Sequence, residues 1–218
     1  MSNQTRKNSS GIIKFFSELY MLKRIKRAGW NVLDAPQDSI ADHVAATAQI
    51  AYVLAKMEGL NAKKCAVMAL FHDNDETRIG DLHKVATLYL EKDSASLRAL
   101  KDQLKNLPKA IEQEILKLIA EERDEETPEA IVARDADWLE MAFQAKTLKE
   151  KGYKGAKDWF VWTKEHLQTK SAKRILAEAE AIDDFTGCWW KAEREQIINN
   201  ERGKKGGKKI KRTKRRLV

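Results

Sequence analysis

The stretch Asn61-Ala-Lys-Lys-Cys-Ala-Val-Met-Ala-Leu-Phe-His-Asp-Asn-Asp-Glu-Thr-Arg-Ile-Gly-Asp81 changes character halfway along its length. Asn61 is a favourable helix cap, and every residue from Cys65 to Phe71 is apolar. That run suits a buried helix and falls far short of the roughly 18 residues a membrane span needs. Where the helix should end, His72, Asp73, Asn74, Asp75 and Glu76 follow one another, with Asp81 shortly after. Polar and charged side chains at the end of an apolar helix are costly unless they share a partner. A divalent cation is the partner that suits imidazole and carboxylate together.

The flanking sequence supplies more helices. Upstream, Asp38 or Ser39 caps a helix predicted over Ile40 to Glu58, which Gly59 stops and which carries His43 on an otherwise apolar surface. Before it, Ile12, Phe15, Phe16, Leu19, Leu22 and Ile25 recur at helical spacing, and Gly29, Asn31, Asp34 and Pro36 break the pattern into a loop of about a dozen residues. Downstream, the pattern weakens at Gly80, and Thr87 to Glu91, Ser94 to Asn106 and Pro108 to Glu122 read as helical pieces. Thr127-Pro128-Glu129 starts a helix expected to reach about Lys151 and stop at Gly152; Lys157 to Gln168 and Ser171 to Ile182 follow. Strand-like alternation of four or more residues is absent and no internal repeat is seen, so the predicted class is all-α.

At 218 residues, with 43% hydrophobic and 34% charged residues and three prolines, the chain has the make-up of one folded domain plus an appendage. Its net charge of +8 is unevenly spread: Arg202 to Val218 hold ten Lys or Arg and no acid, whereas residues 31–201 carry −8. A mainly acidic body is a poor nucleic-acid footprint, although Lys23, Arg24, Lys26 and Arg27 could seat one compact anion. The low-complexity stretch from Arg202 is expected to be disordered and residues 1–11 flexible. No secretory apolar segment opens the sequence, and Cys65 and Cys188 form no metal-type pair, which predicts a reducing, cytoplasmic setting without disulfides or membrane contact.

A mixed nitrogen and oxygen ligand set of His43, His72, Asp73 and one carboxylate from a distant helix would suit Mn, Fe, Co, Ni or Zn. Asp135 and Asp137, in Val132-Ala-Arg-Asp-Ala-Asp-Trp-Leu-Glu-Met141, both qualify as that carboxylate. Glu76 lies four residues after His72, on the same face of a continuing helix, within reach of a water at the site. Asp42 and Asp75 read as solvated or supporting groups, His83 and His166 as surface histidines, and Cys65 as a core thiol. Trp138, Trp159, Trp162, Trp189 and Trp190 are assigned to packing, and Trp30 to stacking on a base.

His43, the His72-Asp73 doublet and Asp137 resemble the four-ligand signature of the HD-domain metal-dependent phosphohydrolases. The segments Leu22-Lys-Arg-Ile-Lys-Arg-Ala-Gly-Trp30, Ser39-Ile-Ala-Asp-His43, His72-Asp-x-x-Glu76-x-x-x-Gly80-Asp81 and Ala136-Asp-x-Leu-Glu-Met141 look most like the HD-domain 5′-deoxynucleotidases, over residues 12–190. The resemblance implies a single HD-domain helical bundle over residues 12–200 holding one divalent metal, with Asp137 in preference to Asp135 as the last ligand. It further implies hydrolysis of deoxynucleoside 5′-monophosphates, with Arg27 on the phosphate, Glu76 as acid or base and Asp81 on the sugar, and a homodimeric assembly. Three features depart from the pattern: Ala28 directly after Arg27, His83 where proline is frequent, and the basic tail. Hydrolysis of cyclic dinucleotides or polyphosphorylated nucleotides is the alternative within the family. A nucleic-acid-associated protein using the tail for weak, salt-dependent attachment is the alternative outside enzymes.

Overall fold

Capping side chains mark where the helices begin. In a computed structural model that describes residues 3–207, the Ser39 side chain accepts from the Asp42 N–H, Asn61 from the Lys64 N–H and Thr127 from the Ala130 N–H. These three caps open α2 (Ile40–Glu58), α3 (Ala62–Phe71) and α7 (Pro128–Glu150), at or within a residue of the boundaries that the sequence predicts. Gly59 closes α2 at φ 74°, in the left-handed region that a side chain disfavours. The remaining α-helices are α1 (Asn3–Leu19), α4 (Glu76–Ile79), α5 (Lys92–Leu104), α6 (Lys109–Asp124), α8 (Lys157–His166), α9 (Lys170–Ala181) and α10 (Cys188–Gly207). No strand forms among the described residues; one isolated antiparallel bridge pairs Lys26 with Ser39. The protein is all-α.

The chain divides into two compact units, Met1–Ala177 and Glu178–Val218. In the first, α2, α3 and α7 share a core of Ala51, Leu54, Ala55, Cys65, Ala69, Val132, Ala136, Leu139 and Ala142. The many alanines let helix backbones approach closely, which brings side chains at the helix ends within bonding distance. Burial also pushes the Cys65 thiol up to about 11, as expected of an inert core group. A second cluster, built on Phe15, Leu100, Leu104, Leu107, Ile115 and Ile119, ties α1 to α5 and α6. The second unit holds α10, on which Trp189 and Trp190 are exposed and neighbours of each other.

Several expectations are corrected. The first helix begins at Asn3 and ends at Leu19, so residues 3–11 of the segment expected to be flexible lie in a helix, and Leu22 and Ile25 pack from turns beyond it. Helix α10 was absent from the sequence reading because its apolar residues are sparse, and it carries the start of the basic tail through Gly207 as helix. The expected disorder of the rest of that tail, and its expected nucleic-acid contact, concern residues 208–218, outside the described residues. Asp135, the second candidate for the last ligand, is fully buried and accepts the backbone N–H groups of Gln168 at 2.9 Å and Thr169 at 2.7 Å. It anchors the start of α9 to α7. Replacing it (Asp135→Ala) removes a buried carboxylate that accepts two part-buried N–H groups and should lower stability by about 1–3 kcal/mol in thermal or urea unfolding, with metal content unchanged.

Candidate active site

His43 sits one turn into α2 and is fully buried. Its Nδ1 lies 2.5 Å from Glu140 Oε2 on α7. His72, at the C-terminal end of α3, places Nδ1 2.7 Å from the Ala69 carbonyl oxygen. Each ring therefore spends its Nδ1–H on an acceptor behind it, and in the neutral imidazole the lone pair stays on Nε2. The two rings meet at 5.3 Å between centroids. Around them stand two carboxylates: Asp73 Oδ2 lies 3.6 Å from His43 Nε2 and 3.2 Å from His72 Nε2, and Asp137 Oδ1 lies 3.1 Å and 3.8 Å from the same atoms.

These residues fit a divalent cation. His43 Nε2, His72 Nε2 and Asp73 Oδ2 are buried atoms with no hydrogen-bond partner, and the three donors lie within 4.8 Å of one another. Metal–ligand bonds of about 2.0–2.2 Å put adjacent donors roughly 3 to 3.5 Å apart, close to the separations seen. The electrostatics point the same way. Burial acts to lower the His72 pKa, yet Asp73 and Asp137 outweigh it and push the imidazole up to about 10. Burial acts to raise Asp73 and Asp137, and the two imidazoles with Arg27 outweigh it and hold both carboxyls well below their usual range. The cluster stabilises positive charge at its centre.

Glu76 opens the four-residue α4, after a turn in which the Asn74 N–H bonds the Phe71 carbonyl and the Glu76 N–H bonds the Asp73 carbonyl. The helix is thus not continuous through His72 as the sequence reading assumed, but Glu76 still turns inward and is only 2% exposed. Burial, reinforced by Asp73 and Asp81, pushes its carboxyl up to about 9. Gly80 then takes φ 74° and ψ 165°, a conformation that sends the chain out of α4 into Asp81.

The segment before α2 supplies the cationic side. Arg27 Nη1 stands 3.7 Å from Asp73 Oδ2. Its backbone is fixed by the Lys26–Ser39 bridge, by the Arg27 N–H to Asp38 carbonyl bond at 3.1 Å, and by Asp81 Oδ2 accepting the Ala28 N–H at 2.7 Å. Trp30 does not stand free for stacking. It is 2% exposed, its indole N–H donates to Asp38 at 3.1 Å, and its ring packs 5.5 Å from that of Trp159. Asp42 belongs to the α2 capping box, and Asp75 is buried beside Arg123 Nη2 at 3.4 Å. His83 and His166 are exposed, His166 packing against Trp138 and Trp162.

Two side chains around the site escaped the sequence reading. Glu140 orients His43, and Arg134 places Nη1 3.5 Å from Asp137 Oδ2 while its other nitrogens meet Glu122 at 2.9 Å and Glu125 at 3.0 Å. Both lie three residues from Asp137 on α7, a spacing that puts them on its face and was available as a signal.

A family model described as HD domain matches residues 19–182. Human 5′-deoxynucleotidase HDDC2 is 26% identical over 78% of this chain and 85% of its own length. The protein of the same name from Dictyostelium discoideum is 31% identical over 62% of this chain and 76% of its own length. Among solved structures, a conserved hypothetical protein from Pyrococcus furiosus superposes with a TM-score of 0.67 at 30% identity, over 78% of this chain and 99% of its own. With the doublet of His72 and Asp73 set between two further ligand candidates on α2 and α7, the chain belongs to the HD-domain family and is a phosphohydrolase.

Proposed function

We propose that the protein hydrolyses the phosphomonoester of deoxynucleoside 5′-monophosphates, releasing deoxynucleoside and phosphate. The observation that carries this reading is the convergence of four metal-type donors, His43, His72, Asp73 and Asp137, with the Arg27 guanidinium 3.7 Å from Asp73 and the buried Glu76 carboxyl within reach of the Asp73 charge. The substrate class is supported by relatives named 5′-deoxynucleotidase in human, fission yeast and Dictyostelium.

His43, His72, Asp73 and Asp137 would hold the divalent cation. When bound, that cation supplies Lewis acidity, stabilising charge on the phosphate and lowering the pKa of a water. Arg27 offers a planar guanidinium for the phosphate oxygens, on a segment already pinned to Asp38, Ser39 and Asp81. Glu76, whose carboxyl is pushed up by burial and by its acidic neighbours, would relay a proton from the water to the leaving 5′-oxygen. Asp81 would receive the 3′-hydroxyl of the sugar while holding the Ala28 N–H, so one carboxylate would set the spacing between sugar and phosphate. No helix among the described residues is long and apolar enough to cross a membrane, and two unpaired cysteines support a cytoplasmic setting for the reaction.

Metal analysis of the purified protein, paired with phosphate release from ribo- and deoxynucleoside monophosphates under Mn, Co, Fe, Ni and Zn, tests the reading. Turnover is expected for the deoxy substrates; absence of both metal and release under every condition overturns it. His72→Ala, Asp73→Ala and Asp137→Ala should each lose bound metal and turnover together. Glu76→Gln should keep its metal and fold while losing roughly 10²- to 10⁴-fold in kcat, the range of general acid–base steps. Asp81→Ala should weaken deoxynucleotide hydrolysis and narrow the preference over ribonucleotides, whereas a drop in melting temperature at an unchanged substrate ratio would make Asp81 a purely structural group.

A further inference from the structure

Lysine is an unexpected residue at the start of α5. Lys92 is the first residue of that helix, where the free N–H groups already present positive charge and an acid is favoured. Its side chain is two-thirds covered, and its ammonium lies 3.4 Å from Glu76 Oε1. This is the only ion pair that Glu76 makes among the described residues. The other oxygen of the same carboxylate, Oε2, is buried with no hydrogen-bond partner at all.

We propose that Lys92 is a positioning residue for Glu76, fixing one carboxylate oxygen so that the other is left for the reacting groups. The role rests on Glu76 being the group that handles the proton. A carboxyl that is 2% exposed beside Asp73 and Asp81 has reason to rotate away from them, and the bond to Lys92 removes that freedom. The contact also spans the base of the connection from Gly80 to Glu91, which carries Asp81. That connection has little packing of its own: Val85, Leu88, Tyr89 and Leu90 are all more than half exposed. Holding α5 to α4 through Lys92 and Glu76 therefore keeps both Glu76 and Asp81 in place relative to the four metal-type donors.

The test compares Lys92→Met and Lys92→Arg in the full-length, metal-loaded protein, alone and in a Glu76→Gln background, with phosphate release from dAMP, dCMP, dGMP and dTMP as the assay. Metal stoichiometry and melting temperature are read on the same samples. Lys92→Met should lose about tenfold or more in kcat with KM within about twofold, keep its metal and its melting temperature, and be largely rescued by arginine. In the Glu76→Gln background it should cost nothing further, because the lysine acts through the carboxylate. A wild-type kcat in Lys92→Met overturns the proposal. So does a rise in KM at constant kcat, which would place the ammonium on the substrate. Loss of metal or of melting temperature in both lysine variants makes the residue structural and overturns it as well. A Glu76→Gln protein that turns over at the wild-type rate overturns the role of Glu76 itself, an outcome visible without any lysine variant.

Discussion

The bonds at Nδ1 of the two histidines are the constraint on which the site depends. A free imidazole can present either nitrogen, and a site that needs both Nε2 atoms facing one point must fix each ring from behind. Glu140 does so for His43 and the Ala69 carbonyl does so for His72. The first of these crosses between helices, so it holds only if α2 and α7 pack at a fixed distance and register. The buried alanines of both helices allow that approach. Helix α7 contributes Asp137 and, three residues on, Glu140, so its rotation about its axis sets a ligand candidate and the partner of another at once.

Charge balance is the second condition. Asp73, Asp137, Glu140, Glu76 and Asp81 crowd one small volume, and a phosphate dianion brought to them would be repelled. The carboxylates on the periphery are matched individually: Glu122 with Arg134, Asp75 with Arg123, Glu76 with Lys92. Of the three unpartnered atoms at the centre, two belong to neutral-capable imidazoles and one to Asp73, and a divalent cation there would balance Asp73 and Asp137. Arg27 is then a cation with capacity for an incoming anion, since its ion pair with Asp73, its one pair among the described residues, is long at 3.7 Å.

How much of this could be read from the sequence follows from how local each interaction is. The starts of α2, α3 and α7 were legible because a cap bonds within three residues of itself. His43, His72, Asp73 and the pair Asp135 and Asp137 stand out because charged or polar groups sit in apolar helices, and only the family resemblance prefers Asp137. Glu140 and Arg134 were within reach of the same reasoning, had the three-residue spacing from Asp137 been followed in both directions. Asp135 and Lys92 were not legible: their partners lie 33 and 16 residues away, in elements whose placement no local pattern reveals. Trp30 misled for the same reason, since an aromatic on a glycine-containing loop reads as exposed until the pocket that receives it is known.

That misreading changes what the loop before α2 is. A connection of about a dozen residues pays a considerable ordering entropy, and an aromatic free to stack would leave it without compensation. Instead Trp30 is buried against Trp159, Ala145, Leu148 and Ala156, a burial worth roughly 1.5–3 kcal/mol, and its indole N–H is satisfied by Asp38. The loop is thereby an arm fixed at its tip by Trp30, at its base by the Lys26–Ser39 bridge and at its inner edge by Asp81. Arg27 stands among these three points, so its backbone is fixed beside the four metal-type donors. The adjoining segment from Gly80 to Glu91, bonded to the arm through Asp81, leaves Val85, Leu88, Tyr89 and Leu90 more than half exposed and leans on the contact between Lys92 and Glu76. The arm before α2 is thus held by packing, and the segment after α4 by charge.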